Sequence, residues 1–163
     1  METNRLIIQD LSDLLRINQE RVLGFNKSAY GCENQHLKLL LNKEMDHARD
    51  NVSSLKRMLS ERFSIESSTE STGQLFEIWS DFRPAFDNSI MSTQLHTYEM
   101  ADSLTLQCYR LAIARPYLDT ISKNLLEFQY QKSVSIHANI KAFRQAYQNN
   151  LNSAMHYKPR RIA

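Results

Sequence analysis

Residues 34–63 read NQHLKLLLNKEMDHARDNVSSLKRMLSERF, and their spacing decides the fold. Leu37, Leu40, Leu41, Ala48, Val52, Leu55, Met58 and Leu59 recur at three- and four-residue steps, the period of one face of an α-helix. No Gly or Pro interrupts the stretch, and Asn34 offers a side-chain cap at its start. The pattern predicts one unbroken helix over 34–63, about 45 Å long at 1.5 Å per residue.

Toward the N-terminus a second stripe of the same period, Ile7, Leu11, Leu14, Leu15, Val22, Phe25 and Ala29, predicts a helix over 4–30. Gly31 follows it, suited to a left-handed helix end because it has no Cβ to clash. The gap of a few residues requires an antiparallel hairpin. In the other direction, residues 64–73 read SIESSTESTG, polar and without a stripe, hence a linker and the most mobile internal segment. A short helix over 74–82 carries Leu75, Phe76, Ile78 and Trp79, with Pro84 marking its end. Asp87, Asn88 and Ser89 are caps for a third long helix over 88–114, whose stripe is Met91, Leu95, Leu106, Tyr109, Ala112 and Ile113. Pro116 suits the first turn of a fourth, over 116–149, with Leu118, Ile121, Leu125, Phe128, Ile136, Ile140, Phe143 and Tyr147. Residues 151–163 form a basic tail ending KPRRIA.

Composition agrees. With 3 Gly and 3 Pro in 163 residues, the chain lacks the turn residues that sandwiches, barrels and doubly wound sheets need at their corners. Twenty basic against 18 acidic residues leave a net charge of +2, too balanced to indicate nucleic acid or an anionic membrane. The basic tail adds too few charges to change that. No apolar run reaches signal-peptide or membrane-span length, so a cytoplasmic protein with no membrane partner is expected. Cys32 and Cys108 form no C-x-x-C pair and read as free thiols. The connections are short, long and short, so the expectation is an all-α four-helix bundle. One long crossover containing the short helix joins its second and third long helices, the topology of ferritin-like bundles.

Polar residues interrupt the stripes. Stepping 37, 41, 44, 48, 52, 55, 59 places Glu44 among the leucines with His47 one turn on, a Glu-x-x-His pair able to present a carboxylate and an imidazole to one ion. On the third helix Glu99 and Asp102 occupy stripe positions between Leu95 and Leu106, and the fourth brings His137 beside Ile136 and Ile140. The first helix offers only neutral groups near its stripe, Asn18 and Asn26. Buried acids must be paired, protonated or ligated. Two chemistries fit: a hydrogen-bonded network, or a metal held by Glu44, His47, Glu99, Asp102 and His137. In the network, pairing would hold the imidazoles charged and raise their pKa above about 6.5, and Glu44→Leu or Glu99→Leu would stabilise the protein by about 1 to 4 kcal/mol. His36, His96 and His156 read as surface residues, and Tyr98, Tyr109 and Trp79 as core aromatics.

The segment from Ile17 to Ala29, INQERVLGFNKSA, resembles the first-helix signature of an uncharacterised bacterial ferritin-like four-helix-bundle family, a domain of unknown function. So do Ser71-Thr72-Gly73 leading to Trp79, Tyr98-Glu99 ahead of Tyr109, and His137 followed by Ile140-Lys141-Ala142-Phe143-Arg144. In metal-binding relatives of that fold the four helices supply Glu, Glu-x-x-His, Glu and Glu-x-x-His. The resemblance therefore implies ligand roles for Glu44, His47, Glu99 and His137, with departures at Asn26 and Val134, where carboxylates are expected. Losing two carboxylates removes charge that holds a pair of hard cations, and Asp102 is the compensating candidate for a mononuclear or zinc-selecting site. No phosphate loop, nucleophile elbow or Cys-His signature is present. The expected function is a non-catalytic, structural or interaction bundle with a degenerate metal site and no cofactor, forming a homo-oligomer. The alternative is a ferritin-like protein binding Fe, Mn or Zn for iron oxidation, storage or stress protection.

Overall fold

The structure, a computed structural model, describes residues 1–66, 73–81 and 91–156. Among these it is all-helical, with no strand: α1 (Glu2–Tyr30), α2 (Gln35–Phe63), α3 (Gln74–Ser80), α4 (Met91–Ile113) and α5 (Thr120–His156). None of these helices is long and apolar enough to cross a membrane. The middle of the polar linker, Pro84, the caps at 87–89 and the basic residues 158–161 lie outside the described residues.

The cap expected at the start of α2 is formed, Asn34 Oδ1 accepting from Leu37 N–H at 3.0 Å. Gly31 is not left-handed: it ends α1 with φ −88°, and the left-handed residue is Ser64 at the end of α2, φ 57°. The helix predicted from Pro116 begins instead at Thr120. Asp119 sets that start, since its carboxylate accepts from Ser122 N–H at 3.0 Å, as an N-cap does, while Arg62 Nη1 of α2 donates to it at 2.9 Å. At the far end α5 runs through residues 151–156, six beyond the predicted tail boundary. Losing the apolar stripe removes burial but no backbone hydrogen bond, and the first true breaker in the sequence is Pro159.

The four long helices bury two apolar clusters. One gathers Leu11, Leu14 and Leu15 of α1, Leu55 and Leu59 of α2, Leu75, Phe76 and Trp79 of α3, Cys108, Tyr109 and Ala112 of α4 and Leu126 of α5. The other joins Phe25 and Ala29 of α1, Leu37, Leu40, Leu41 and Met45 of α2, Leu95 and Tyr98 of α4 and Ile140 of α5. Each long helix thus gives one half to each cluster, and between the halves lie the buried polar residues Asn18, Arg21, Glu44, His47, Asn51, Asp102, Gln129 and Ser133.

The phase of α5 differs from the predicted stripe. Ile121 and Phe128 are 59% and 65% exposed, whereas Ser122, Leu126, Gln129, Ser133 and Ile140 face inward. The helix turns a mostly small and polar line toward the interior because that interior is itself polar there. A hydrophobic-stripe argument selects the wrong face in such a case.

Short α3 is held by side chains more than by its own seven residues. Trp79 is fully buried and its Nε1 donates to Thr105 Oγ1 of α4 at 3.1 Å; truncating such a residue to Ala removes about 3 to 5 kcal/mol. Asp13 of α1 accepts from the N–H groups of Gly73 and Phe76 at 3.0 and 3.4 Å, capping α3 from a neighbouring helix. One turn earlier, Asp10 accepts from Tyr117 Oη at 2.6 Å and Arg115 Nε at 3.3 Å, tying the α4–α5 turn to α1. Burial, reinforced by that bond to Asp10, pushes the Tyr117 phenol up to about 12.

Candidate functional site

The polar belt is organised by a residue that is not part of the apolar stripe of α1. Along α1 the steps 7, 11, 14, 18, 21, 25 form one inward line, so Asn18 and Arg21 enter the interior together. Arg21 is 1% exposed. Its Nη2 donates to Glu44 Oε2 of α2 at 2.8 Å and to Asp102 Oδ1 of α4 at 3.2 Å, and its Nη1 donates to Asn18 Oδ1 at 3.1 Å. One guanidinium nitrogen therefore bridges carboxylates from two other helices, in the planar, always-charged geometry that suits Arg to buried ion pairs. From α5, His137 Nδ1 approaches Asp102 Oδ2 at 3.5 Å.

The network continues without a break. Asn18 Nδ2 donates to Tyr109 Oη at 3.0 Å, and Tyr109 Oη donates to Gln129 Oε1 at 2.8 Å. Asn51 Nδ2 donates to Asn18 Oδ1 at 3.1 Å and lies 3.3 Å from His47 Nε2, which itself lies 2.7 Å from Ser133 Oγ. Groups from α1, α2, α4 and α5 are thus joined through hydrogen bonds at one level of the fold.

Two carboxylates facing one cation do not share it equally. Burial raises the Glu44 carboxyl well above its ordinary 4.5, and the neighbouring Asp102 charge adds to that; Arg21 opposes both but does not prevail. For Asp102, burial pulls upward too, but hydrogen bonds from Glu44 and His137 and the charge of Arg21 outweigh it and hold the carboxyl low. The group the geometry favours is an ionised Asp102 paired with Arg21, with a proton on Glu44 donated toward Asp102. Glu44 Oε1 and Asp102 Oδ2 are buried, and beyond the long 3.5 Å approach of His137 Nδ1 to Asp102 only that proton serves them.

The imidazole expectation reverses at His47. Its pKa falls to about 4, first through burial and then through the positive charges of Arg21 and Lys132. Pairing with the acids is expected to charge it, but burial and the cations Arg21 and Lys132 outweigh the upward pull of Asp102.

Of the five residues singled out in the sequence, Asp102 shares Arg21 with Glu44 and has His137 at 3.5 Å. His47 is buried one turn away, on Ser133 and Asn51. Glu99 turns to Arg144 of α5, forming an ion pair there. The positions where the resemblance expects carboxylates, Asn26 and Val134, are exposed, while Arg21 and Ser133 hold the inward positions on those helices. Among the described residues no three His, Cys, Asp or Glu side chains are grouped to hold a metal ion. With a guanidinium on both carboxylates, these residues do not fit the metal centre the resemblance implies. Their arrangement is suited to holding four helices in one relative position.

Of the remaining predicted positions, Tyr98, Tyr109 and Trp79 are buried, His36 and His96 are exposed, and both cysteines are free. Compared with known proteins, the chain matches no family model and no characterised sequence.

Proposed function

We propose that this chain is a ferritin-like four-helix bundle without catalytic activity, a structural or protein-interaction module that assembles with copies of itself. The observation that carries the reading is the placement of Arg21 Nη2 on Glu44 and Asp102. The acids at the centre already have a cation supplied by the chain, so they serve cohesion and not substrate.

Two further observations support the architecture and the mode of action. Both apolar clusters contain the start of one hairpin's helix and the end of its partner: Leu37 and Leu95 share one cluster, Leu55 and Tyr109 the other. That division fits α2 and α4 running the same way, which supports the ferritin-like order of connections. On the surface, Ile121 and Phe128 stand exposed on one face of α5, beside an open groove of about 890 Å³ whose lining includes Arg110, Ile113, Lys123 and Phe128. Exposed large apolar groups next to polar ones suit a protein contact.

A second reading, a metal protein for iron oxidation or storage, is favoured by Asp102 having Glu44 and His137 of two other helices beside it. Elemental analysis of protein purified without chelators separates the two. The structural reading expects no stoichiometric Fe, Mn or Zn, and light scattering is expected to give a mass above that of one 19.1 kDa chain. Near-stoichiometric metal, or iron turnover abolished in Glu44→Ala, would overturn it.

A further inference from the structure

We infer that Arg21 is a resident counter-cation: it stands where a divalent ion would have to sit between Glu44 and Asp102, and its side chain is what keeps the wild-type protein from binding one. This rests on the non-metal reading above and adds a specific agent to it.

Three observations carry the inference. First, a single atom, Nη2, contacts carboxylates from two different helices at 2.8 and 3.2 Å, the bridging role an ion plays between helices. Carboxylate oxygens already converging on one point need to move by only about an ångström to reach the 2.0 to 2.2 Å typical of Zn²⁺ or Mg²⁺ ligation. Second, the remaining oxygens of the same two residues, Glu44 Oε1 and Asp102 Oδ2, are buried as well, and His137 Nδ1 lies 3.5 Å from Asp102 Oδ2, a third donor type beside the pair. Third, α1 places no acid here, because its inward positions are Asn18 and Arg21. Deleting the guanidinium leaves the ionised Asp102, the Glu44 carboxyl and an imidazole around a cavity with no positive charge, and a buried carboxylate so placed demands a cation. Arg21 and a metal are alternatives for one place.

The test compares wild type, Arg21→Ala, Arg21→Lys and the double variant Arg21→Ala/Glu44→Gln, each titrated with Mn²⁺ alone and with Zn²⁺ alone by calorimetry. Wild type and Arg21→Lys are expected to show no site. Arg21→Ala is expected to bind one ion per chain, on the order of a hundredfold tighter than any residual binding to wild type. The double variant is expected to lose that gain, which distinguishes the interior from surface histidines. Should Arg21→Ala be unfolded in chelator, recovery of helical circular dichroism on adding either ion is the equivalent positive result. If Arg21→Ala binds neither ion when folded, or is rescued by neither when unfolded, the inference fails while the non-metal reading stands. If wild type binds an ion with Arg21 in place, the non-metal reading fails as well.

Discussion

Asp13 Oδ1 on α1 accepts a hydrogen bond from the backbone N–H of Gly73 at 3.0 Å, and a Cβ at position 73 would collide with the same carboxylate. The glycine is required by close approach, not by its backbone angles, since φ there is −84°. Gly73→Ala is therefore expected to push Asp13 off both N–H groups it caps and to destabilise the fold by about 1 to 3 kcal/mol. Gly31 provides the control, because a Cβ there meets nothing within 4 Å and φ is −88°. Gly31→Ala is expected to be neutral or to stabilise by up to about 1 kcal/mol through the unfolded state. Urea unfolding of the two variants checks the contrast, and equal effects would refute the role given to Asp13.

The unequal sharing of Arg21 makes the two acids respond differently to the loss of charge. Glu44→Gln replaces a carboxyl that burial biases toward its protonated form with an amide that can still donate toward Asp102 and accept from Arg21, so less than about 1 kcal/mol should be lost. Asp102→Asn strands a buried guanidinium and is expected to lose about 3 to 5 kcal/mol. Restoring an apolar seam with Arg21→Met, Glu44→Leu and Asp102→Leu together should recover most of that loss, as in other buried ionic clusters replaced by hydrophobes. Glu44→Leu alone is expected to destabilise and not to give the gain of about 1 to 4 kcal/mol that the sequence suggests, because that substitution removes a hydrogen-bonding partner of Arg21. Denaturant midpoints of the four proteins decide the matter: a larger loss for Glu44→Gln than for Asp102→Asn would reverse the assignment of the proton.

The two thiols differ in access. Cys108 is buried, donates to Leu75 C=O at 3.3 Å, and is pushed up to about 12 chiefly by burial, whereas Cys32 is only partly covered. A thiolate-specific reagent at pH 8 should label Cys32 under native conditions and reach Cys108 only on unfolding. Native labelling of Cys108 at a comparable rate would mean that the contact between α3 and α4 opens readily.

How much of this was legible in the sequence depended on one signal. Where helices bury aliphatic side chains, as at Leu37 to Leu59, the three-and-four spacing located both helix and face. It also exposed Glu44 and Asp102 as acids out of place. The same signal hid Arg21, because a search for apolar residues stepped from Leu15 to Val22, although the 14, 18, 21, 25 line was present. It misled on α5 for the complementary reason: opposite a polar belt the inward positions are Ser122, Gln129 and Ser133, and the larger hydrophobes Ile121 and Phe128 go outward. Glu99 satisfied the spacing rule as well as Asp102 did, and only the position of Arg144, 45 residues away, separates them.

The pH dependence of stability carries two terms of opposite sign. His47 has a folded pKa of about 4 against an unfolded value near 6.5, so the unfolded chain takes up a proton that the folded protein refuses. Its contribution is complete above about pH 6.5 and is lost as pH falls toward 4, a term of up to about 3 kcal/mol. Glu44 acts in the other direction, since its folded pKa is raised above the ordinary 4.5. The folded protein then keeps a proton that the unfolded chain releases, so this contribution is present below about 4.5 and fades as pH rises through the folded value. Wild-type stability should accordingly climb from pH 4 only partway before the Glu44 term opposes it. His47→Gln is expected to remove most of the climb between pH 4 and 6.5. Glu44→Gln should remove the opposing decline, so its stability relative to wild type improves as pH rises. Urea midpoints for the three proteins at half-unit intervals from pH 4 to 8 measure both slopes. An unchanged slope in His47→Gln would show that the imidazole is not held neutral beside Arg21, and with it the charge distribution drawn for the whole belt would fall.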